Sequence, residues 1–108
     1  MKGMIEVSAR IVGSGSLAFS TSQDTSFTIP ECDYVITQCN TMVINNVVVY
    51  SQKGICCRGY SALIPVLSSD KGIPSFETIR LQNSGTTLIA VKTSVEYKIS
   101  YVCYKYDT

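Results

Sequence analysis

Apolar and polar residues alternate with a period of two along much of this chain, the pattern of half-buried β-strands. Ile5, Val7, Ala9 and Ile11 alternate with Glu6, Ser8 and Arg10, which predicts a first strand over residues 4–12. Gly13-Ser14-Gly15-Ser16 reads as a flexible turn, followed by a short strand in which Leu17 and Phe19 point one way. Phe27 and Ile29 share a face of the next strand, and Pro30 ends it or marks an edge. Residues 33–39 form a strand mixed on both faces. Met42-Val43-Ile44 and Val47-Val48-Val49-Tyr50 flank Asn45-Asn46, a pair that tolerates positive φ and suits a tight hairpin; a kinked single strand is the alternative.

Gln52-Lys53-Gly54 is read as a second turn, with strands at residues 55–58 and 60–67, the latter weakened by Pro65. Residues 68–72 form a loop. Phe76, Thr78 and Arg80 alternate with Glu77, Ile79 and Leu81 in a further strand. Asn83-Ser84-Gly85 turns the chain and residues 86–92 return it. In the closing strand, residues 95–106, Val95, Tyr97, Ile99, Tyr101 and Cys103 share one phase. About nine or ten short strands at regular spacing are the signature of a sandwich or barrel. The expectation is one all-β domain over residues 1–108: an antiparallel two-sheet β-sandwich, jelly-roll-like, with a small closed β-barrel as the alternative.

Composition agrees with strands. At 16% charged residues the chain lies below the usual share of roughly 25%, and β-branched and aromatic residues recur while helix formers are scarce. A net charge of +1 gives no broad electrostatic footprint for nucleic acid or an anionic membrane, so neither is expected as a partner. No apolar run approaches a membrane span. The Met1–Glu6 start has no apolar stretch of a signal peptide, so the chain is expected to be made in the cytoplasm.

Candidate chemistry is sparse. The sequence has no histidine, which removes Ser-His-Asp and Cys-His arrangements and the side chain best suited to proton transfer near neutral pH. Asp24, Asp33, Asp70 and Asp107 fall in or beside turns, and Glu6, Glu77 and Glu96 on polar strand positions; no catalytic set is assigned and an enzyme is not expected. Gly13-Ser14-Gly15-Ser16 lacks the Lys-Ser/Thr of a phosphate loop. Cys32, Cys39, Cys56, Cys57 and Cys103 have neither zinc nor redox spacing, so no metal or cofactor is expected. They are expected to be reduced and buried, with a Cys32–Cys39 or Cys57–Cys103 bridge as the oxidised alternatives.

Two segments are candidate contact surfaces. Val47, Val49 and Tyr50 belong to a strand apolar on both faces, which implies a central strand or one covered by a partner subunit. Tyr104 and Tyr106, near the chain end, are candidate interface aromatics, whereas Tyr97 and Tyr101 are expected in the core with their hydroxyls at the sheet margin.

The order of segments also resembles a known class. Ser16-Leu17-Ala18-Phe19-Ser20, Thr25-Ser26-Phe27-Thr28-Ile29-Pro30, Asp33-Tyr34-Val35-Ile36, Leu63-Ile64-Pro65-Val66, Thr86-Thr87-Leu88-Ile89-Ala90-Val91 and a Tyr-rich closing strand are similar in arrangement to the small β-sandwich modules of bacteriophage virions. These occur in tail fibres, head fibres and capsid decorations. The resemblance implies a structural or adhesive role without catalysis, self-association as a homo-oligomer (a trimer favoured), location in the virion, and partners among virion proteins or host-surface glycans and proteins. A free-standing soluble binding module, lectin-like or a protein inhibitor, is the alternative.

Overall fold

The computed structural model describes the backbone of residues 8–44, 47–70 and 73–107, and side-chain surroundings for 8–39, 51–66 and 77–107. Eight strands follow one another: β1 (Ala9–Phe19), β2 (Thr25–Thr28), β3 (Tyr34–Ile44), β4 (Val47–Cys57), β5 (Tyr60–Asp70), β6 (Ile73–Asn83), β7 (Thr87–Ala90) and β8 (Tyr97–Tyr106). They form two four-stranded antiparallel sheets, β1-β8-β3-β4 and β2-β7-β6-β5, packed face to face. The architecture is a β-sandwich and not a closed barrel. The β1–β8 and β2–β7 pairs nest the chain ends as a jelly roll does, while β3–β4 and β5–β6 are hairpins within one sheet each.

The core lies between the sheets. Leu17 and Phe19 from β1, Val35 from β3, Ile64 and Val66 from β5, Leu81 from β6, Leu88 from β7 and Ile99 from β8 are almost wholly removed from water. Each such side chain contributes roughly 1.5–3 kcal/mol through burial. Tyr97, Ile99 and Cys103 face inward and Tyr101 packs against them, as the alternation of the closing strand predicts; Val95 precedes the strand and is exposed.

Three local expectations are corrected. Gly13-Ser14-Gly15-Ser16 is not a turn: β1 runs straight through it, paired with Cys103 to Ser100 of β8. Its glycines make room for neighbours. A Cβ at Gly13 would lie 2.8 Å from Pro30 Cγ, and one at Gly15 would lie 2.8 Å from the hydroxyl of Tyr101, whose ring covers that position. A bulge between Ile11 and Gly13 also reverses the strand's phase, so Val12 packs on the core and Ile11 faces water.

Gln52-Lys53-Gly54 is likewise within a strand. Gly54 sits opposite Thr37, where an added Cβ would meet Thr37 Oγ1 at 2.9 Å and Ile64 Cδ1 at 3.0 Å. The turn comes instead at Arg58-Gly59, with Gly59 at φ 85°, and it carries the chain from one sheet to the other. Residues 68–70 continue β5 rather than forming a loop.

The Asn83-Ser84-Gly85 turn is where the sequence places it, with Gly85 at φ 96°. The β3–β4 hairpin pairs Ile44 with Val47; Asn45 and Asn46 lie outside the described residues.

Candidate interaction surface on the outer face of the first sheet

The inward direction of Val35, Cys56 and Cys103 forces their strand neighbours outward. The cross-strand register then assembles two rows on the outer face of the β1-β8-β3-β4 sheet. Ile11, Tyr104, Tyr34 and Cys57 line up across all four strands, because Ile11 pairs with Tyr104, Tyr104 with Tyr34, and Tyr34 with Cys57. The adjacent row is Ser14, Val102, Ile36 and Ile55 by the same logic. None of these eight side chains is charged. Ile11 is 63% and Ile55 56% exposed, Cys57 is exposed, and Tyr34, Tyr104, Val102 and Ile36 are half-buried by one another.

Tyrosines organise one end of this surface. The Tyr34 and Tyr104 rings stack with centroids 5.0 Å apart and planes 7° apart, and Tyr106 tilts against Tyr34 at 5.5 Å and 45°. Burial, and then the neighbouring Tyr106 and Tyr104 hydroxyls, push the Tyr34 phenol above its ordinary pKa. It therefore stays a neutral hydroxyl, able to donate or accept a hydrogen bond. Polar side chains border one end, where Ser16, Ser100, Gln38 and Lys53 form the next row and the Gln38 amide donates to Ser51 Oγ at 2.9 Å. At the other end the next outward pair is Ala9 with Tyr106. Arg10 and Asp107, paired at 2.7 Å, take the opposite phase.

The residues expected to form a surface are thus partly brought together. Tyr104 and Tyr106 are on the patch. Val47, Val49 and Tyr50 belong to β4, the edge strand of this sheet, so a central position is excluded for them among the described strands; their side chains lie outside the described residues. Tyr34, Ile36, Ile55 and Cys57 were not singled out by sequence reasoning. The available signal was their shared phase with Tyr104 once Val35, Cys56 and Cys103 are placed inside.

The carboxylates hold structure. Asp33 Oδ2 accepts the Tyr106 N–H at 2.7 Å, and Asp24 Oδ1 the Lys92 N–H at 2.8 Å. Glu31 accepts from Lys105 at 3.1 Å and pairs with Arg58 at 3.5 Å. The hydrogen bond and charge of Lys105, with the Arg58 charge, hold its carboxyl below the ordinary range. A cleft of about 540 Å³ beside residues 77–80 of β6, past the end of β7, is lined by Glu77, Arg80 and Lys92 among others, and a second of about 480 Å³ by Phe19, Glu96 and Lys98 among others; each brings a single carboxylate. Tyr97 lies at both, and its buried hydroxyl has no hydrogen-bond partner among the described residues.

Cysteines are free thiols in the structure: Cys32, Cys39, Cys56 and Cys103 are buried and Cys57 is exposed. The alternative Cys57–Cys103 bridge is excluded by direction, since Cys57 faces out of the sheet and Cys103 into the core. Among the described residues no cluster of three potential metal ligands forms, and no helix is long and apolar enough to cross a membrane. Comparison with protein-family models, with curated proteins and with solved structures finds no match.

Proposed function

We propose that this chain is a non-enzymatic structural or adhesive module that self-associates through the outer face of the β1-β8-β3-β4 sheet. The observation that carries this reading is the uncharged double row Ile11–Tyr104–Tyr34–Cys57 and Ser14–Val102–Ile36–Ile55. An apolar sheet face continuous across four strands is what interface cores are built from, with tyrosines as rigid anchors. A second copy suits it because the patch contains no charge that a symmetric contact would strand against its own kind. The β4 edge, with its Val47-Val48-Val49-Tyr50 sequence, extends the same side of the molecule and offers backbone groups to a neighbour. The resemblance to phage virion modules gives the proposal its biological form, a decoration or fibre-type component that also meets a capsid, tail or host surface.

The test is the solution mass by light scattering after gel filtration, in reductant so that Cys57 cannot cross-link. A closed oligomer that dissociates in an Ile55→Ser/Tyr104→Ser double variant of unchanged circular dichroism supports the reading. A monomer at all concentrations overturns self-association and moves the protein to a free-standing binding module. Oligomers indifferent to the double variant would place the seam elsewhere and overturn the assignment of this face.

A further inference from the structure

We propose that the open edge of β6, with the cleft beside it, binds an extended acidic peptide as an added strand in the place that β7 vacates. β6 is paired with β5 along its whole length, Ile73–Asn83. β7 is paired with it only at Leu81, Gln82 and Asn83. After Ala90 the chain is drawn away. Val91 N–H still donates to Arg80 O at 3.1 Å, but Lys92 N–H donates to Asp24 Oδ1 at 2.8 Å and Thr93 N–H to Ser20 O at 2.9 Å. Residues 74–80 are left with about 20 Å of edge that no strand covers among the described residues.

Strand geometry fixes which groups face this edge. An antiparallel ladder turns the main-chain groups of successive residues to alternate sides. Arg80 O points to the β7 side, so Thr78 and Phe76 present both N–H and C=O there. The register agrees, because Thr78 lies opposite Pro65 of β5, which has no N–H to exchange. Pro74 is on the same phase, so its missing N–H falls where the sheet has no strand to receive one. Main-chain donors and acceptors repeating along an edge are matched by another extended main chain, the basis of strand addition.

The cleft of about 540 Å³ lies where the added strand runs. Ile79 and Tyr97 line it from inside, and Thr78 and Arg80 line it on the exposed phase. A strand laid on β6 therefore alternates between an inward residue beside Ile79 and Tyr97 and an outward one beside Thr78 and Arg80. Tyr97 is only 8% exposed, and its hydroxyl is buried without a hydrogen-bond partner among the described residues, so an acceptor on the incoming chain satisfies it. Charge selects the partner. Arg80 donates to the neutral Ser61 Oγ at 2.9 Å, and neither Arg80 nor Lys92 has a carboxylate partner among the described residues. Glu77 is the single carboxylate against these two cations, so the cleft favours an acidic peptide. A second copy fits less well, because its edge strands β1, β2 and β4 contain no carboxylate and Pro65 interrupts β5. The partner is another polypeptide, with Asp or Glu on the outward phase and apolar residues on the inward one. This edge belongs to the second sheet, so it does not depend on self-association through the first.

The probe is an array of synthetic decapeptides that alternate apolar residues with acidic, neutral or basic ones, presented to the full chain in reductant. The expected result is that acidic peptides bind and basic ones do not. Fluorescence anisotropy then follows the tightest binder. Methylating its main-chain nitrogens one at a time should weaken binding about tenfold at every second position, those facing β6, and leave the positions between unchanged. Thr78→Pro removes an N–H at the open edge and none that β5 uses, and should weaken binding about tenfold as well. Thr78→Val keeps that N–H and should bind like the parent. Circular dichroism establishes that each variant is folded, and the methylation pattern decides alone where the proline variant is not. Absence of binding across the array, equal losses on both phases of the methylation scan, or a preference for basic peptides would each overturn the proposal. So would a folded Thr78→Pro variant that binds like the parent.

Discussion

Asn83 is one of two buried polar side chains among the described residues, and replacing it with alanine should be among the most damaging single changes. Its amide nitrogen donates to Cys56 O on the opposite sheet at 3.0 Å, and its Oδ1 accepts the Gly85 N–H at 2.8 Å. Its own carbonyl accepts the Gly59 N–H at 2.7 Å through the backbone, a bond that survives substitution. Asn83→Ala therefore leaves one buried carbonyl and one buried N–H without partners. At roughly 1–3 kcal/mol for each stranded group, the loss should be about 3 kcal/mol, a large part of the stability of a domain this size. Asn83→Asp retains the acceptor for Gly85 but sets an oxygen against Cys56 O and buries a charge, so it should be worse than alanine at neutral pH. Urea denaturation in reductant measures both variants: the midpoint should fall with the slope unchanged. A loss below about 1 kcal/mol for alanine, or an aspartate variant as stable as the parent, would refute the claim that this side chain ties the sheets together.

Gly54→Ala should destabilise by about 1–3 kcal/mol, because its Cβ would crowd Thr37 Oγ1 and both branches of Ile64 at 2.9–3.1 Å. Gly59→Ala, with no heavy atom within 4 Å of the added Cβ, should cost only the strain of its positive φ, about 1 kcal/mol; equal losses at both sites would contradict the close sheet contact at Gly54. With Ellman's reagent on the reduced native protein, Cys57 should react rapidly and the four buried cysteines only on unfolding; a second fast thiol would place one of those four at the surface. Glu31 and Asp107 both have folded pKa values held below their ordinary ones, Glu31 chiefly by Lys105 and Asp107 by Arg10 and Ser8. Their contribution is present above the unfolded carboxyl pKa and is lost as pH falls through the depressed folded values. Glu31→Gln should flatten the acid side of the stability–pH curve, more at low salt than at high; an unchanged slope would show that the Lys105 and Arg58 pairs exert no net effect.

Much of the strand plan was legible because alternation records which face is wet. The phase of the closing strand needed no tertiary information: Tyr97, Ile99, Tyr101 and Cys103 had only one way to share a buried face. Pro30 and the Asn83–Gly85 turn were legible for the same local reason, since a missing N–H and a positive φ act within a few residues. Glycine misled elsewhere. Gly13, Gly15 and Gly54 look like turn residues in sequence, yet each sits inside a strand where Pro30, the Tyr101 ring, or Thr37 with Ile64 occupies the space of a side chain. The neighbour that requires the glycine lies between 10 and 86 positions away, so no local window contains the cause.

The surface was divided in the same way. Tyr104 and Tyr106 stood out as aromatics near the chain end, but Tyr34, their stacking partner, lies 70 positions upstream of Tyr104. Sequence alone determined that the chain forms antiparallel strands with one wet and one dry side, because that follows from the two-residue period of the backbone and the free energy of apolar burial. The tertiary structure decided which strands became neighbours, and hence that Ile11, Tyr104, Tyr34 and Cys57 form one row. It also decided that Val12 replaces Ile11 in the core at a bulge. Those outcomes depend on cross-strand register, a relation between distant segments that no local periodicity encodes.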